Sequence, residues 1–209
     1  MASGEEIPLY LSVRDTNGSG PGEIAYAFVE GEAGTVGSEE GFVIIPASAG
    51  IENYRLYLPT TGLINGRVYR VAVFAADKLA NKSTIVYSAP FFLDRTPPML
   101  SGIELVGGVV KDGDRIYFTT ASKLAVEFVA EDAESGIVKT EYALREGRET
   151  TPVTDWVEEL TALSFTALQS GREYSLVVRV TNGVGAKTFM AGGPMVFDGT
   201  GPNVVALLP

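Results

Sequence analysis

The sequence predicts an all-β chain of two tandem antiparallel sandwiches. Apolar residues alternate with other residues in short runs, and no stretch keeps the 3.6-residue period of a helix. Clusters of Gly, Asn, Pro and Ser separate the runs, six or seven strands to each half, which favours a sandwich over a barrel. The second half also repeats the first, segment by segment.

The opening strand is IPLYLSVRD, which sends Ile7, Leu9, Leu11 and Val13 to one face. LAVEFVAED does the same with Leu124, Val126, Phe128 and Ala130. Ile7 and Leu124 lie 117 positions apart, and so do Asp15 and Asp132 behind them. GLINGRVYRVAVFAAD and ALQSGREYSLVVRVTN match 105 positions apart, with Gly66 on Gly171 and Tyr69 on Tyr174. The closing segments APFFLDRTPP and GPMVFDGTGP match 104 apart, with Asp94, Thr96 and Pro98 on Asp198, Thr200 and Pro202. Three collinear matches indicate an internal duplication. The fall in offset places a longer loop in the first copy, around EGEAGTVGSEEG.

In the second copy, strands are expected near 101–106, 115–119, 124–131, 138–145, 155–158, 164–168, 174–180 and 188–197. Leu63 precedes Tyr69, and Leu168 precedes Tyr174, with five residues between in each case. A tyrosine so placed at the start of the penultimate strand suits a corner, its hydroxyl bonding back to the connecting turn. The domains drawn this way are 1–96, a sandwich lacking its first strand, and 97–200, a complete one, with 201–209 opening a further repeat. Only 14 residues precede Asp15, whereas GPNVVALLP follows the second closing motif as PPMLSGIEL follows the first. The Ile7–Val13 run should therefore show an edge with unpaired amides and carbonyls, to which Val204–Leu208 of another copy is expected to add, a head-to-tail association that would be a product of excision and not of biology.

Composition excludes several functions. The net charge is -10, with 16 basic and 26 acidic residues, and both halves are acidic, so no basic footprint for nucleic acid exists. There is no His and no Cys, which removes Ser/His and Cys/His catalysis, the usual zinc sites and disulfides. No apolar run approaches the roughly 20 residues that span a bilayer, and Met1–Tyr10 lacks the pattern of a signal peptide. An exported parent would make this chain a piece of a longer protein.

Each half resembles the bacterial immunoglobulin-like or fibronectin type III-like repeats strung along large surface and secreted proteins. The residues that carry the resemblance are EDAESGI followed by EYAL, the Leu-to-Tyr corner, VFAADKLANKS, and the closing LDRTPP and FDGTGP. It covers nearly the whole chain. The second copy departs at VTNGVGAKT, where Asn182 stands in place of Asp77. The resemblance implies a structural spacer or adhesion module, extracellular or on the cell surface. Neighbouring repeats would be its partners, beside a protein or polysaccharide ligand, with no nucleic acid and no membrane insertion.

Candidate chemistry is sparse. Asp15, Asn17 and Ser19, with Gly20, lie where an EF-hand places ligands and its glycine, but Tyr26 occupies the position of the bidentate Glu. DTNGSG also aligns with DAESG, so Asp15, Asn17, Ser19, Asp132 and Glu134 are calcium candidates set against a plainer turn in which Asp caps amides. No cofactor is expected beyond that calcium. Asp94, Thr96, Pro98, Asp198, Thr200 and Pro202 are structural residues of stiff closing segments. The acidic pairs Glu158–Glu159 and Asp112–Asp114 do not suit a glycosidase, because neighbouring strand residues face opposite ways and the second pair flanks a turn glycine. An enzyme is not expected. Trp156, Tyr10, Tyr54, Tyr57 and Tyr117 remain as aromatics, and a row of them on one face would favour a sugar-binding accessory module of a polysaccharide-active enzyme.

Overall fold

The computed structural model describes residues 6–203 and 205, apart from 17, 39 and 49. Among these the chain is all-β, with one 3-10 turn at Leu160–Ala162 and no α-helix. Among the described residues no helix is long and apolar enough to cross a membrane. Two compact units divide it, Met1–Thr96 and Pro97–Pro209.

In unit 1, β1 (Glu6–Ser12) pairs with β4 (Asn53–Pro59), Leu9 opposite Leu56. The second sheet orders β3 (Val43–Pro46), β2 (Pro21–Glu30), β5 (Arg67–Asp77) and β6 (Val86–Tyr87), with β7 (Phe91–Leu93) also on β5. Alternation decides which side chains go inward. Ile7 and Leu58 from the first sheet meet Ile24, Tyr26, Val71 and Val73 from the second in one core. Each such side chain taken from water contributes about 1.5 to 3 kcal/mol.

In unit 2, β8 (Met99–Gly107) pairs with β11 (Ala125–Glu131), Leu100 opposite Ala130. Opposite them lies a sheet ordered β12 (Ile137–Glu146), β13 (Glu173–Asn182), β14 (Lys187–Phe197), β10 (Arg115–Phe118) and β9 (Val110–Asp112). Leu105, Phe118, Leu144, Leu176, Met195 and Phe197 form its main core. All strand pairs are antiparallel except β10 with β14, a departure from the expected antiparallel sheets.

The duplication is visible in register. Ala72 pairs with Tyr87 and Val177 with Ala191; Tyr26 pairs with Val73 and Tyr142 with Val178. One difference matters later. β1 pairs only toward β4, so the opposite edge of β1 has no strand partner among the described residues. β11 pairs only with β8, and the stretch equivalent to β4 holds the 3-10 turn instead. Leu163 still fills the place of Leu58, both being buried.

Two expected strands of unit 2 are therefore corrected. At 155–158 only Val157 bridges, its N–H donating to the Tyr142 carbonyl at 2.9 Å, while Asp155 and Glu158 are exposed and Trp156 turns to Arg179. At 164–168 Phe165 and Leu168, three positions apart, anchor a turn to the core, closed by Leu168 N–H on the Phe165 carbonyl at 3.1 Å.

Candidate functional site

The duplicated turns come first. Gly20 N–H donates to Asp15 Oδ2 at 2.7 Å, and Ser135 and Gly136 N–H donate to Asp132 Oδ1 at 2.8 and 3.0 Å. Gly20 and Gly136 have φ of 85° and 71°, a left-handed backbone that explains why glycine recurs there. The carboxylates thus cap amides of their own turns. Asn17 lies outside the described residues; Ser19 and Glu134 are half-buried. Neither unit by itself gathers three acidic side chains at ligating distance among the described residues. Calcium at millimolar concentration is expected to leave the melting temperature unchanged, since any binding to the folded state would raise it. A saturable rise lost in Asp15→Ala would show a site.

Asn182 has a physical reason. Asp77 Oδ1 accepts Leu79 and Asn81 N–H, both at 2.8 Å, and Asn182 Oδ1 accepts Val184 and Ala186 N–H at 3.2 and 2.8 Å. Either residue caps the hairpin. The Asn182 amide also donates to Asp132 Oδ2 at 2.9 Å, which a carboxylate could not do. Burial pushes the Asp132 carboxyl up, but this bond and the turn amides outweigh it and hold it below its ordinary value.

The tyrosines meet their turns as the spacing suggests. Ile64 N–H donates to the Tyr69 hydroxyl at 2.8 Å, and Gln169 N–H to the Tyr174 hydroxyl at 2.9 Å. Tyr69→Phe and Tyr174→Phe are each expected to destabilise their own unit by about 1 to 3 kcal/mol, the cost of stranding a donor. Hydrogen exchange of β5 and β13 amides would locate the loss; wild-type protection in both variants would remove the corner from the argument.

The closing segments differ in their fastening. Asp94 Oδ1 accepts both Thr96 N–H and its hydroxyl, at 2.9 and 3.0 Å, while Asp198 Oδ1 accepts Thr200 N–H at 3.3 Å. Arg95 adds donors to the Thr60 and Leu63 carbonyls; its counterpart Gly199 uses its N–H to the Ser170 hydroxyl at 3.1 Å. Pro98 is buried and Pro202 exposed.

Of the aromatics, Tyr54, Tyr117 and Trp156 are half-buried. Tyr10 and Tyr57 are 65% and 52% exposed on the outward face of the β1–β4 pair, and Arg55 stacks on both rings at 5.4 and 5.1 Å. Trp156 carries Arg179 over its ring at 4.0 Å. The Arg179 guanidinium also grips Glu141 through two bonds of 2.7 and 2.6 Å, and Lys139 joins Glu141 to Glu158 at 3.0 and 3.1 Å. This cluster has no local motif, and sequence reasoning missed it. The Arg179 bonds, opposed by burial and helped by Lys139, hold the Glu141 carboxyl down to about 2. Glu159, Asp112 and Asp114 are exposed, well apart in role from this pair.

A groove of about 540 Å3 lies in unit 1. It is lined by Leu9–Ser12 of β1 and the following Val13–Asp15, and by Val73–Asp77, Asn81–Thr84 and Val86–Ser88. No family model and no curated protein matches the chain.

Proposed function

We propose that this chain is a non-catalytic spacer or adhesion segment, two tandem immunoglobulin-like sandwiches belonging to a larger extracellular or cell-surface bacterial protein. The observation that carries the reading is the duplication itself, kept from the first shared turn to the closing Asp–Thr bond, with a separate core in each unit. Each unit keeps a core of its own, so repetition lengthens the chain. Prolines 97, 98 and 202 restrict the backbone beside the closing bonds, which suits a stiff connection between repeats. The carboxylates support the same reading, since the buried Glu141 is consumed by an ion pair and the turn aspartates by amides.

Pulling the chain from its ends should give two separate unfolding events, and a glycan and protein array should separate the two roles, a plain spacer staying unbound outside its neighbours and an adhesion segment retaining one ligand. One merged event would count against independent spacers. A second reading, a carbohydrate-binding accessory module, is favoured by the exposed Tyr10–Arg55–Tyr57 row. Saturable polysaccharide binding lost in Tyr10→Ala and Tyr57→Ala would decide for it.

A further inference from the structure

We propose that the groove of unit 1 is a strand receptor, and that its occupant is the 201–209 segment of a second copy of this chain. The proposal rests on the repeat reading only through the duplication. Unit 2 shows what fills the equivalent space. There β8 lies along β11, and its Leu100 packs with Val178 and Val180 while Ile103, Phe128, Ala130 and Met190 complete the cluster. The offsets between the copies carry Phe128, Ala130, Val178, Val180 and Met190 onto Leu11, Val13, Val73, Ala75 and Val86. All five of those line the groove.

What unit 1 lacks among its described residues is the counterpart of β8. The consequence is exposure: Val86 is 60% exposed, whereas Met190 in the same place is half-buried. The edge of β1 offers backbone donors and acceptors along the same line, the arrangement that accepts an added strand. Affinity would come from the backbone ladder, specificity from the apolar wall.

The sequence identifies the occupant. β8 follows the first closing motif directly, and GPNVVALLP follows the second. At the same offset Val204 takes the position of Leu100 and Leu207 that of Ile103, the two side chains that enter the wall in unit 2. Val204 would then stand opposite Val13, as Leu100 stands opposite Ala130. Because the groove and the tail are different surfaces of one chain, the contact is heterologous, so association has no built-in end.

Light scattering of the full chain at rising concentration tests this. The average mass should climb past that of a dimer. Truncation after Asn203 and the groove variant Val86→Lys should each stay monomeric, with melting temperatures close to wild type. Mixed in equal amounts, the truncated chain supplies a groove and the Val86→Lys chain a tail, so growth should stop at twice the monomer mass. The free peptide GPNVVALLP should cap wild-type growth without any substitution. A wild-type chain that remains monomeric, or a truncated chain that grows like wild type, overturns the proposal. Growth that neither Val86→Lys nor the peptide reduces would overturn it too. None of these outcomes touches the pulling and array experiments, which judge the spacer reading separately.

Discussion

Phe118→Ala is expected to lower the stability of unit 2 by about 3 to 5 kcal/mol, the usual cost of deleting a buried aromatic ring. Phe118 is 1% exposed and stands at the end of β10, where that strand meets β14. Its ring packs against Phe165, Tyr174 and Phe197 at 5.6, 6.2 and 5.2 Å. Removing it leaves a void bounded by three rigid rings, none of which can swing into the space without abandoning another partner. Phe197 precedes the closing Asp198, whose N–H donates to the Phe118 carbonyl at 2.8 Å, so the loss should loosen the closing segment as well. Every ring contact of Phe118 lies in unit 2, and unit 1 should melt as before. Trp156, the only tryptophan, reports on unit 2 alone, so denaturant unfolding followed by its fluorescence measures the effect. A fluorescence midpoint that does not move would contradict the core described above.

The second large effect is expected with pH. Glu141 has an ordinary carboxyl value of 4.5 when unfolded and about 2 when folded, because the Arg179 guanidinium binds both its oxygens. A folded value below the unfolded one means that the unfolded chain takes up its proton first. The contribution is therefore complete above about pH 4.5 and is lost as pH falls toward 2. With the side chain 8% exposed but its partner Lys139 in solvent, the contribution is about 2 to 3 kcal/mol. Glu141→Gln should flatten that part of the stability profile. It should also weaken unit 2 at neutral pH, since Arg179 then keeps its charge beneath Trp156 without a carboxylate. Equal pH dependence in wild type and variant would show that other carboxylates carry the acid limb.

The contrast between these two sites explains what could be read from the residues alone. Phe118 sits in an alternating run, and period-two patterning, turn glycines at 20 and 136, and the Leu-to-Tyr spacing are all local signals. Local signals survive without knowledge of pairing. The Glu141–Arg179–Trp156 cluster is different, because it exists only once β12 and β13 fix Glu141 opposite Arg179 and the 155–158 stretch folds over them. No spacing announces that register. The 164–168 run differs from its expected strand for a related reason: Phe165 and Leu168 are apolar residues between turn signals, and an anchored turn carries such residues as readily as a short strand does. For the groove, the deficit of one strand was legible by counting, but not the wall formed by 73–77 and 81–88.

The opposite use of the two edges, β1 toward β4 and β11 toward β8, has a consequence for synthesis beside a twin. Neighbouring repeats of one fold can exchange equivalent strands while both are unfolded. Here the equivalent strands do not seek equivalent mates. β11 closes on residues just upstream, Val126 with Leu105, whereas β1 must wait for a strand far downstream, Leu9 with Leu56. The shorter closure costs less chain entropy and should form sooner, even though it comes later in the chain. A swapped strand would arrive with its neighbour on the wrong side. The two copies are thus expected to refold independently from denaturant without an exchanged species, and a kinetically trapped, strand-swapped form on refolding would show that the asymmetry gives no such protection.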